Sequence, residues 1–61
     1  MDAWFYWYTL ADAQIKASLF DQAKASIQKG MSLAEQLSLP DVVENFKELH
    51  VKLENKKKGV G

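Results

Sequence analysis

Residues 20–37, FDQAKASIQKGMSLAEQL, carry the clearest helical pattern in the chain. Small and apolar side chains recur there every three or four residues, which places them along one side of an α-helix. This predicted inner face consists of Phe20, Ala23, Ile27, Gly30, Met31, Ala34 and Leu37. The helix is expected to span about residues 21–37, with Asp21 capping the free backbone N–H groups at its start.

Two more helices are predicted, one on each side of this segment. The first spans about residues 2–18 and is unusually apolar around its circumference, because residues 4–8, WFYWY, are five consecutive aromatics. The third spans about residues 39–57, with Ser38 as its N-cap and Asp41 completing an acidic variant of the capping box. The inner face expected for this third helix is Val42, Val43, Phe46, Leu49 and Leu53.

The composition indicates one small folded domain. The 61-residue chain is 48% hydrophobic and 26% charged, with three glycines and one proline, which is typical of a helix-rich protein rather than a disordered segment. Short turns make neighbouring helices antiparallel, so the sequence predicts an all-α fold over residues 1–58, built as a helical hairpin plus a third helix. Residues 59–61 are expected to form a flexible tail.

The charge balance and the apolar runs exclude several classes of partner. Eight lysines balance eight acidic residues and there is no arginine, so we expect no nucleic-acid partner. The apolar runs are far shorter than the roughly 18 residues that a membrane-spanning helix needs. No basic segment precedes the aromatic run, so we expect no signal peptide, no membrane partner and a cytoplasmic location.

The residue types of the first two helices resemble the signature of the tetratricopeptide repeat family. Trp7, Leu10 and Ala11 match its tryptophan, leucine and first small residue. The later aromatic, the close-contact alanine and the second small residue are matched by Phe20, Ala23 and Gly30. The resemblance implies a hairpin in which small residues let two helices approach while large ones fill the gaps beside them. An unrelated three-helix bundle is the alternative.

Some positions depart from this pattern. Gln14 stands where the family usually has a tyrosine, and Ser18 stands where it usually has the glycine of the turn. Phe46 follows Trp7 by 39 residues, a longer repeat than the usual 34 of the family. His50 occupies a position for a small residue, which favours a terminal capping role for the third helix.

The resemblance implies a binding function, because repeat helices stack into a surface that holds a peptide or a partner helix. It places on that surface Phe5, Tyr8, Asp12, Ile15 and Lys16 of the first helix and Glu44, Lys47, Val51 and Glu54 of the third. The apolar members would anchor a partner, and the charged ones would orient it. The alternative for Asp12 and Lys16 is an ordinary exposed ion pair between residues four apart.

Residues 4–8 cannot all face a core, because five consecutive residues surround a helix. We therefore expect an exposed aromatic patch that includes Trp4. It is predicted to pack against a second copy or a neighbouring repeat, since one hairpin plus a cap falls short of the roughly three repeats that are independently stable. Direct ligand binding by the patch is the alternative.

The sequence predicts no enzyme, cofactor or metal site. The single histidine, His50, and Glu48 lie on different faces of a helix and cannot form an acid–base pair. Glu44 and Glu48 share a face, but this spacing is common on helices. Three function classes stay open: a tetratricopeptide-type adaptor for a protein or peptide, a structural oligomerisation or capping element, and a small helical inhibitor of another protein.

Overall fold

The computed structural model of the protein describes residues 3–59, and it contains three α-helices and no strand in that range. The helices are α1 (Trp4–Lys16), α2 (Phe20–Gln36) and α3 (Pro40–Lys57). The prediction of an all-α fold with a helical hairpin and a third helix is thus confirmed. The helix boundaries differ from the predicted ones by one or two residues, and residue 2 lies outside the described range.

The predicted N-caps are wrong. The N-cap positions of α2 and α3 are occupied by Leu19 and Leu39, and neither helix start has a side-chain capping hydrogen bond. Asp21 lies inside the first turn of α2, where its charge still complements the helix dipole. Ser38 does not begin α3. Its φ of 55° and the hydrogen bond from its N–H to the carbonyl of Glu35 make it part of the turn that ends α2.

The α1–α2 turn is closed by a Schellman motif. Ser18 adopts the left-handed conformation, with a φ of 63°, and its N–H donates to the carbonyl of Ile15. The N–H of Leu19 donates to the carbonyl of Gln14 at 2.8 Å, which is the six-residue bond that defines the motif. The α2–α3 turn repeats the same bonds around Ser38. Both reversals are therefore made by a serine in a conformation that favours glycine.

Gly59 ends α3 in a similar way. Its φ is 78°, and its N–H donates to the carbonyl of Lys56 at 3.0 Å. The first residue of the predicted flexible tail is thus hydrogen-bonded to the helix end. The other two, Val60 and Gly61, lie outside the described residues.

Helix α2 packs against both other helices, while α1 and α3 share a smaller contact. The buried hydrophobic residues are Ala11, Ile15, Ala23, Ile27, Ala34, Val42, Phe46, Leu49 and Leu53. Most of the predicted inner faces lie in this core, but Leu37 is 51% exposed because α2 ends just before it. Ser26, which was not predicted, is buried and donates a hydrogen bond to the side-chain oxygen of Gln14 at 2.7 Å.

Phe46 joins the three helices. Its ring lies so close to the backbone of α2 that a Cβ atom on Gly30 would overlap it. The Tyr8 ring of α1 meets the same ring edge to face, with 5.5 Å between centroids. A missing side chain on α2 therefore determines where α3 can sit, and α3 in turn supports the aromatic part of α1.

Candidate interaction surface

The aromatic run of α1 divides into a packed part and an exposed part. Trp4, Trp7 and Tyr8 are partly buried against the core, whereas Phe5 is 60% exposed and Tyr6 is 57% exposed. As expected for consecutive helical residues, the run covers opposite sides of the helix. The two outward rings form the aromatic surface that is open to a partner.

Neighbouring rings hold both outward side chains in place. The Phe5 ring meets Trp4 at 81° with 5.8 Å between centroids, and the Tyr6 ring meets Trp7 at 79° with 5.0 Å. Trp7 is itself fixed by the core and by the Lys29 ammonium, which lies 5.2 Å from its ring centroid. An aromatic side chain has only two rotatable bonds, so it loses little conformational entropy when a partner covers it.

The rest of the outward side of α1 carries two small exposed residues and one ion pair. Thr9 and Ala13, one and two turns after the outward rings, are exposed. Within α1 only Asp12 and Lys16 are charged, and they form an ion pair of 3.1 Å. We use the term α1 outer face for the surface made of Phe5, Tyr6, Thr9 and Ala13.

Three of the predicted binding residues pack against the core. Ile15 is only 4% exposed, so its assignment to the binding surface is wrong. The packing of the three helices covers it, an effect that a repeat pattern does not reveal. Tyr8 is partly buried on Phe46, and Trp4 is partly buried as well, so these two can offer a partner only an edge.

The charged candidates form exposed ion pairs. Lys16 is 75% exposed and pairs with Asp12 four residues earlier, which is the ordinary alternative considered for these residues. Lys47 pairs with Glu44 at 3.6 Å, again on the surface. Such pairs contribute a few tenths of a kcal/mol and stay free to contact a partner. Val51, 57% exposed, adds an accessible apolar side chain on α3.

His50 has a helical neighbour that the sequence analysis missed. Its Nε2 atom lies 3.9 Å from the carboxylate of Glu54, four residues later, and both side chains are about half exposed. The attraction is ionic only when the imidazole is protonated. Sequence spacing could have found this pair, since residues four apart share a helix face.

Within residues 3–59 no group of three metal-ligating side chains comes together. In that same range none of the helices has the length and apolar character needed to cross a membrane.

Comparison with known proteins adds no relative: no family model, no curated protein and no solved structure matches this chain. The tetratricopeptide resemblance therefore stays a prediction drawn from the residues themselves.

Proposed function

We propose that this protein is a protein–protein interaction module that binds a helix or peptide of its partner on the α1 outer face. The observation that carries the proposal is the pair of outward rings, Phe5 and Tyr6, each more than half exposed and held by a neighbouring ring. Aromatic residues with fixed geometry are the typical hot spots of interfaces.

The area of these rings sets the binding free energy that they can contribute. An aromatic side chain buries on the order of 200 Å² when fully covered, so covering the exposed part of Phe5 or Tyr6 is worth about 2–3 kcal/mol each. Binding has to offset the loss of translational and rotational freedom, so two rings alone support only weak association. The charged pair Asp12–Lys16 beside them would contribute orientation more than affinity.

The tetratricopeptide resemblance supports the same function. Gly30, at a small position of the signature, lies against Phe46, and Ser18, at the position of the turn glycine, has a backbone that suits glycine. Both residues thus meet the physical demand that explains the family's preference at their positions. As a repeat-type adaptor, the protein would act in the cytoplasm by recognition, without catalysis.

A photo-crosslinker placed in the surface tests this proposal. Benzoylphenylalanine at position 5 or position 6 should yield protein crosslinks in cells, because these side chains point toward the partner. The same crosslinker at Leu37, similarly exposed but located at the α2–α3 turn, serves as the matched control. Mass spectrometry of the crosslinked species identifies the partner. Identical crosslink patterns at all three positions would show that the α1 outer face is not a binding surface.

A further inference from the structure

The side chains of the α1 outer face are large in the first turn of the helix and small in the next two. Phe5 and Tyr6 project from the first turn of the helix, while Thr9 and Ala13 follow one and two turns later. A parallel copy of the helix would set rings against rings and leave a gap between the small residues. An antiparallel copy places the first turn of each helix over the third turn of the other, where Ala13 leaves room for the Tyr6 ring, so that part of the face is complementary to itself.

The spacing also locates the symmetry axis. Phe5 precedes Thr9 by four residues and Ala13 follows it by four. A two-fold axis at Thr9 therefore places the first turn of each copy level with residues 12–13 of the other. Tyr6 shares its side of the face with Ala13, seven residues later, so the two meet across the axis. Phe5 lies on the other side, beside the Asp12–Lys16 pair of the second copy. This is an isologous contact, which closes into a dimer and leaves no free copy of the surface.

Charge does not oppose the contact of two copies. The chain has a formal net charge of zero, and α1 contributes one acid and one base that already pair with each other. Helix α3 is different, because charged side chains recur along all of its length. A mainly apolar face, bordered by an ion pair that is neutral overall, suits a partner face of the same kind, and a second copy supplies that face.

The available area supports a dimer of modest affinity. The exposed parts of the four outward rings of two copies amount to on the order of 500 Å². The small residues between them bring the buried surface to roughly 700–800 Å², below the about 1,000 Å² of specific protein interfaces. Weak association, in the upper micromolar range, is therefore expected rather than a permanent dimer.

We infer that the α1 outer face binds a second copy of this chain, with the two α1 helices antiparallel around a two-fold axis near Thr9. The inference rests on the proposed function, since it names the partner of the same surface. It assigns Phe5 and Tyr6 as the apolar anchors, Ala13 as the small residue that receives Tyr6, and Thr9 as the residue at the axis.

Sedimentation equilibrium of the full chain gives the first test. The apparent mass should rise from 6.9 kDa toward twice that value as the concentration increases from about 1 μM to about 1 mM. The double variant Phe5→Ala, Tyr6→Ala should raise the dimer dissociation constant at least about tenfold, because most of the anchoring area is removed. Leu37→Ala, which removes a similarly exposed side chain at the α2–α3 turn, should leave that constant unchanged. Circular dichroism confirms that each variant keeps its helices.

Single cysteines test the orientation, and the chain contains no cysteine of its own to interfere. Thr9→Cys should form a covalent dimer on mild oxidation, because the two copies of this residue meet at the axis. Ala13→Cys should not, since antiparallel helices place its two copies about 12 Å apart along the helix, beyond the reach of a disulfide. Preferential crosslinking through position 13 would overturn the antiparallel arrangement.

A chain that stays at the monomer mass up to about 1 mM would overturn the inference that the partner is a second copy. The proposed function has a separate outcome. If photo-crosslinking from positions 5 and 6 still captures another protein in that case, the α1 outer face is a binding surface for a different partner. If neither dimer nor specific crosslink is found, both proposals fail.

Discussion

At the residue scale, Gly30 shows how an absent side chain can determine the packing of two helices. Alanine normally favours a helix interior over glycine by about 1 kcal/mol. A Cβ atom here would overlap the Phe46 ring, and such overpacking costs about 1–3 kcal/mol. The difference of the two terms predicts that Gly30→Ala lowers the free energy of unfolding by up to about 2 kcal/mol, measured by urea denaturation.

A smaller residue at position 46 provides the control for this prediction. In a Phe46→Leu background the ring is gone, so Gly30→Ala should become neutral or stabilising through its helix propensity. The double-mutant cycle should therefore give a coupling energy of about 1 kcal/mol or more between the two positions. If Gly30→Ala stabilises the unaltered protein, the ring does not lie against this glycine.

At the element scale, the two serines that end α1 and α2 hold a backbone conformation that is costly for them. A residue with a side chain in the left-handed region is disfavoured by about 1–2 kcal/mol, whereas glycine is not. After allowing for the greater freedom of glycine in the unfolded chain, Ser18→Gly should stabilise the protein by about 0.5–1 kcal/mol. Thermal denaturation measures this as a raised Tm.

Serine-to-glycine substitutions at two other positions distinguish an effect of the turn backbone from a general effect of glycine. Ser38→Gly should stabilise by a similar amount, and the two gains should add because the turns lie at opposite ends of α2. Ser32→Gly, at an exposed position in the middle of α2, should instead destabilise by about 0.5 kcal/mol. Equal effects at positions 18 and 32 would contradict the role of the left-handed backbone.

Periodicity was enough to predict the helices and most of the core, because the 3.6-residue repeat persists through each element and breaks only at the two turns. The caps could not be predicted the same way. Ser38 followed by Asp41 is a pattern typical of a helix start. In the structure the N–H of Ser38 instead donates to the carbonyl of Glu35 and closes the end of α2. Local sequence does not show whether a turn residue ends the preceding helix or caps the next one.

The candidate site was predictable only in part, for a similar reason. Five consecutive aromatics guarantee that some face outward, and the structure shows that Phe5 and Tyr6 do so. Ile15 was placed on the same surface by its repeat position, but packing with the other helices buries it. Exposure depends on where neighbouring helices lie, and one helix pattern does not contain that information.

At the scale of the whole molecule, all three helices contribute to one core, so they should unfold together. A domain of this length is expected to be stable by about 3–9 kcal/mol. Both tryptophans lie in α1, whereas far-ultraviolet circular dichroism reports on all three helices. At a protein concentration low enough to keep the chain monomeric, the tryptophan and helix signals should therefore share one urea midpoint.

Leu53→Ala sharpens this test, because Leu53 lies near the end of α3 and is almost fully buried. Removing its side chain should lower the free energy of unfolding by about 2–4 kcal/mol. Because unfolding is cooperative, the tryptophan signal of α1 should show the same lowered urea midpoint as the helix signal. Val51→Ala, an exposed position on the same helix, should leave both midpoints nearly unchanged. If Leu53→Ala shifts only the helix signal, then α3 unfolds independently and the core is not shared. Because Phe46 of α3 contacts both α1 and α2, lost packing in α3 should destabilise all three helices together.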